Sequence, residues 1–109
     1  MTPQTVDYTV GTRVDLHVKV LDDAVVARAK RRGIDGLVYA PHFTRWPAIC
    51  ERAAAYSDDD LLVVPGRELF TGSWRNRRHV LALDLERPVA DFLTLEGTMA
   101  ELDAQDAVV

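Results

Sequence analysis

Apolar and polar residues alternate through "RVDLHVKV", placing Val14, Leu16, Val18 and Val20 on one face of a strand and Asp15, His17 and Lys19 on the other. The next segment, "DDAVVARAKRRG", changes to helical spacing, with Leu21, Val25 and Ala29 at i, i+4 and i+8. Asp22 or Asp23 supplies an N-cap, Lys30 to Arg32 place cations at the negative end of the helix dipole, and Gly33 suits C′. "DGLVYA" is a short second strand, so the opening is a βαβ unit with an expected right-handed crossover.

"PHFTRWP" is a loop, and Pro47 fits the first turn of a second helix running to about Ser57 with Trp46, Ile49, Cys50 and Ala53 inward. "DLLVVPG" is a third strand, expected to stop at Pro65-Gly66. The pattern then departs from strand-helix alternation. Two extended segments, 67–71 and 78–84, flank Gly72-Ser73 with no room for a helical crossover, which predicts an antiparallel hairpin. A turn near Trp74 would set Glu68 opposite His79 or Val80. A last helix is capped at Thr94 or by the box Thr98-x-x-Glu101, and Ala107-Val108-Val109 resembles the start of another strand.

The chain has 109 residues, 48% hydrophobic and 28% charged, which suits one α/β domain but is short for a complete eight-stranded barrel. Residues 1–12 are expected to form a flexible N-terminal arm, and 13–109 the folded part. A net charge of −4 argues against a general nucleic-acid binder. Cys50 is the sole cysteine, which rules out an internal disulfide or a cysteine zinc cluster and suits a reducing cytoplasm. No apolar run approaches the roughly 18 residues of a membrane span.

Chemistry concentrates at strand ends. His17 lies on the first strand, His42 follows the second, Glu68 follows the third and His79 opens the hairpin return. In α/β architectures, sites form at the carboxyl ends of parallel strands. Imidazoles and a carboxylate gathered on one rim are donors for Zn, Mn or Fe. Each residue also has a structural reading. His17 can be a hydrogen-bonded strand residue, His42 can be packed by Phe43 and Trp46, and "RNRRH" can be a solvated hairpin tip.

Four short segments in series, "DLHVK", "GIDGLVYAPH", "LLVVPGRE" and "HVLAL", resemble the polymerase-and-histidinol-phosphatase (PHP) family over residues 12–109. The resemblance implies a partial, distorted TIM-like β/α barrel, the N-terminal portion of a longer domain. It implies one to three divalent ions that activate water to hydrolyse a phosphate ester or phosphodiester. His17, Glu68, His79 and His42 are similar to the family's metal ligands, and Asp15 to the residue that supports the histidine strand. Arg67 and Arg78 are candidates for holding the substrate phosphate. The chain departs from the family pattern at Lys19, where a second histidine is expected, and at Pro41, where an aspartate is expected. Lys19 can replace the charge of an ion or grip phosphate as a point charge. The resulting expectation is a metal-dependent phosphoesterase acting on a phosphorylated small molecule or nucleotide. The alternative is a non-catalytic protein of the same fold that binds nucleotide or RNA at a metal-depleted site.

Overall fold

A computed structural model describes residues 11–109, so most of the expected N-terminal arm lies outside the described residues. The element order is β1 (Val14–Val18), α1 (Asp23–Arg31), β2 (Gly36–Tyr39), α2 (Trp46–Tyr56), β3 (Leu62–Thr71), β4 (Arg78–Leu83) and α3 (Leu95–Ala104). One curled four-stranded sheet has the order β1-β2-β3-β4, and the fold is mixed α/β. β1, β2 and β3 run parallel, and β4 returns antiparallel to β3.

Helix punctuation accounts for the helix boundaries. The Asp22 side chain accepts from Val25 N at 2.8 Å, and Gly33 takes φ +70 after the C-cap. Pro47 occupies the first turn of α2. Of the two possible caps for α3, Thr94 is used, and its side chain accepts from Gly97 N at 3.0 Å. Thr98 is buried and bonds back to the Thr94 carbonyl. Cys50 is only partly buried, and burial pushes its thiol pKa up.

β3 does not stop at Pro65-Gly66. It runs straight through and changes partner there. Leu62 to Pro65 pair with Gly36 to Tyr39, whereas Gly66 to Thr71 pair with Leu83 to Arg78. Proline lacks an N–H, and the junction between two ladders is where that omission disrupts least. Gly66 is required by crowding. A Cβ there would sit 3.1 Å from the Ala82 carbonyl, 3.1 Å from Val38 Cγ1 and 3.2 Å from Ala40 Cβ.

β1 also corrects the simple alternation. Asp15 pairs with Leu37 and Val18 with Tyr39, so three steps on β1 match two on β2. The extra residue is a β-bulge, and it moves everything beyond it to the opposite face from that expected. Asp15 shares the helix-covered face with Val18. Val14, His17 and Lys19 belong to the other, concave face.

Two cores lie on the helix-covered side. Leu21, Ala29, Leu37, Tyr39, Ile49, Ala53, Leu61 and Val63 pack between the parallel strands and α1 and α2. Leu69, Val80, Ala82, Leu85, Val89 and Leu102 pack between the hairpin and α3, and Trp46 touches both clusters. The concave face carries little covering structure: Val14 and Leu62, which flank Gly36 there, are exposed, as is Leu16 in the bulge.

Candidate functional site

Glu68 stands on the concave face of β3, just past the change of partner. It is 4% exposed, and its backbone N–H donates to the Pro41 carbonyl at 3.3 Å. Pro41 therefore helps to position Glu68 through its backbone carbonyl. His79 does not face Glu68 across the ladder. Glu68 pairs with Leu81 and His79 with Phe70. The contact is diagonal instead, within reach of long side chains on one face of an antiparallel pair. His79 Nδ1 lies 2.7 Å from Glu68 Oε1, and its ring stacks on Phe70 at 4.2 Å.

β1 delivers the other two partners. His17 Nε2 is 2.9 Å and Lys19 Nζ is 3.2 Å from Glu68 Oε2. His17 Nε2 is also 3.1 Å from the Ala40 carbonyl. The bulge makes this possible, and Asp15 closes it by accepting from the His17 N–H at 3.0 Å. Asp15 thus supports the histidine strand from the opposite face rather than by joining the cluster.

Burial alone would push the Glu68 pKa up, but the Lys19 ammonium, then His17 and His79, outweigh it and hold the carboxyl below its usual range. A group with a depressed pKa adds stability above its unfolded value, about 4.3, and loses it as pH falls through the folded value. The chain is therefore expected to weaken from about pH 4 downward, with part of that slope due to Glu68. Urea unfolding midpoints across this range should fall less steeply for Glu68→Gln than for the parent. Parallel slopes would show that Glu68 contributes nothing to acid sensitivity.

His42 lies close by but not in the cluster. Among the described residues its ring makes aromatic contacts only, 5.2 Å from Phe43 and from Phe70. Arg67 does not face the site. It lies on the other face of β3, buried, with Nη2 2.7 Å from Asp91 Oδ2 and Nε donating to the Thr44 carbonyl at 3.1 Å. Arg78 is exposed and pairs with Thr71, one position along from His79 and so on the opposite side of the ladder.

The donors can be tested against a divalent ion. Among the described residues, no group of three or more His, Cys, Asp or Glu side chains is placed to hold a metal ion. Two imidazole nitrogens flank a buried anionic carboxylate, a His₂Glu donor set. Glu68 Oε2 is buried between the His17 ring nitrogen at 2.9 Å and the Lys19 ammonium at 3.2 Å. An ion at this place would draw its donors from His17, Glu68 and His79. His42 is occupied in ring packing.

Two features were not anticipated from sequence. One is Asp91, isolated in "PVADFL", which ties Arg67 and also accepts from Phe70 N at 3.0 Å. The other is a cluster of rings, Phe43, Phe70, Trp74 and Phe92, drawn from four separate segments. The available sequence signal was the occurrence of large aromatics in polar loops, as in "TGSWRNRR". No helix among the described residues is long and apolar enough to cross a membrane. No family profile matches the sequence, and no curated protein matches it.

Proposed function

We propose that the chain carries part of a PHP-type β/α barrel whose Glu68 site binds and hydrolyses phosphate esters with the help of one divalent ion. The observation that carries this reading is the buried, anionic Glu68 flanked by His17 and His79. The order of the four PHP-like segments supports it. When bound, the ion would lower the pKa of a water molecule and neutralise phosphoryl oxygens.

The chain's own residues have separable tasks. Glu68 supplies the fixed negative charge, set in place by the backbone of Pro41. His79 is held in orientation by the face of Phe70. His17 is held from behind by Asp15. Lys19 has a half-exposed side chain on a flexible stem, so its ammonium can leave Glu68 and meet a phosphoryl oxygen as a point charge.

The same lysine favours a second reading. Its ammonium already lies against the carboxylate, so the chain brings its own cation to the place of an ion. The site would then bind nucleotide or RNA without hydrolysing it. Calorimetric titration of metal-stripped protein with Mn²⁺ and Zn²⁺, alongside an assay on p-nitrophenyl phosphate and its diester, separates the two. The first reading expects one ion per chain and turnover that depends on it. Lys19→His should tighten ion binding about tenfold or more by removing a competing charge and adding a donor. A folded chain that takes up neither ion and turns over neither ester overturns it. RNA binding that weakens steeply with salt would then establish the second.

A further inference from the structure

Beside the Glu68 cluster, four aromatic side chains from separate segments form a shelf. Phe43 packs edge-on to Phe70 at 4.7 Å and lies parallel to Phe92 at 6.1 Å, and Trp74 lies 6.2 Å from Phe92. Rings gathered to form a core are hidden, but here Phe43 is 52%, Trp74 60% and Phe92 42% exposed. Two of the three are also held in a costly conformation. Phe43 has φ 54 and Phe92 φ 64, a region that bulky residues rarely occupy and that costs on the order of 1–3 kcal/mol each. The surrounding bonds enforce it: Phe92 N donates to the Phe70 carbonyl at 2.6 Å, and Thr44 Oγ1 donates to the His42 carbonyl at 3.2 Å.

The charge beside the shelf is positive. The turn that bears Trp74 also bears Arg75 and Arg77. The planar guanidinium of Arg77 lies 4.4 Å above Trp74 and 5.9 Å from Phe70, with Nη1 donating to the Trp74 carbonyl at 2.9 Å. The guanidinium lies over the Trp74 ring as a cation–π contact, which sets a positive charge within the aromatic cluster. Open rings interleaved with guanidinium groups are the chemistry that recognises a nucleobase joined to phosphate. The shelf is also continuous with the carboxylate cluster, because His79 contacts Glu68 through Nδ1 and Phe70 through its ring face.

We infer that Phe43, Trp74 and Phe92 form a base-stacking subsite, and that the ligand of the Glu68 site is a nucleoside monophosphate. The base lies on the shelf and the phosphate reaches Lys19 and the Glu68 cluster. The phosphate half of this inference rests on the function proposed above; the base half does not.

The test follows tryptophan fluorescence of the full chain during titration with adenosine 5′-monophosphate, adenosine and ribose 5-phosphate. Adenosine monophosphate and adenosine are expected to quench the emission, and Trp74→Leu, which changes an exposed side chain, should abolish the quench with the far-UV circular dichroism unchanged. Phe43→Ala and Phe92→Ala, read by calorimetry, should weaken the monophosphate roughly five- to hundredfold. Binding of ribose 5-phosphate and the monophosphate with equal affinity, both indifferent to Phe92→Ala, overturns the subsite while leaving the phosphate site standing. Adenosine binding as tightly as its monophosphate supports the shelf and removes the phosphate site. An oligoadenylate bound far more tightly than the monophosphate, with steep salt dependence, overturns the mononucleotide assignment in favour of a single-strand groove.

Discussion

Asp91→Ala is expected to destabilise the chain by about 3–5 kcal/mol, seen as a large fall in the urea midpoint at pH 7. The effect is large because of what the substitution leaves behind. Asp91 makes the charge pair with Arg67 at 2.7 Å, and the two side chains are only 15% and 10% exposed. Without Asp91 the guanidinium is a buried charge with one remaining bond, to the Thr44 carbonyl. The same carboxylate accepts from Phe70 N, so its removal also frees a backbone donor near the end of β3. The double variant Arg67→Met, Asp91→Ala should recover part of the loss, because it removes the stranded charge and keeps an apolar stem of similar length. A single-variant loss below about 1 kcal/mol, with no recovery in the double variant, would show that the pair is solvated and energetically idle.

Glu68→Gln is expected to have the opposite profile, with a large functional loss and little loss of stability. Its three partners are His17, His79 and Lys19, with side chains 34%, 45% and 50% exposed. Each can return to water when the carboxylate charge disappears, so stability at pH 7 should change by no more than about 1 kcal/mol. Divalent-ion affinity should fall at least about a hundredfold, roughly 2.7 kcal/mol, since the substitution removes the only anionic donor in the cluster. Calorimetry with Mn²⁺ before and after the substitution reads this directly. Ion binding unchanged in Glu68→Gln would mean that any ion is held elsewhere, and the proposed site would fall.

The contrast between these carboxylates also shows which features were legible in the sequence. The helices, their caps at Asp22 and Thr94, the βαβ opening and the hairpin all follow from local pattern, because capping and apolar periodicity act over a few residues. His17, Glu68 and His79 were recognisable because strand ends gather chemistry in this class of architecture. Register was less legible. The bulge in β1 depends on how that strand meets β2, and no residue within "VDLHV" announces it. The Pro65-Gly66 pair carries a strong local stop signal, but two different partner strands keep the backbone extended through it. Arg67 read as a phosphate ligand because its neighbour in sequence is Glu68. Alternation in a strand sends the two to opposite faces, and only the distant Asp91 identifies Arg67 as a structural charge. The aromatic shelf was hidden for a related reason. Its rings come from four segments and share no spacing.

Because β3 belongs to two ladders, the site assembles from parts with different kinetic histories. The hairpin half closes over a short loop and can set His79 beside Glu68 early in folding. The parallel half must wait for α2 to return the chain to β2, and β1 joins last, bringing His17 and Lys19 from almost half the chain length away. β1 is also an edge strand with little cover on its concave side. Glu68 thus takes one partner, His79, from its own hairpin and two, His17 and Lys19, from the strand at the edge of the sheet.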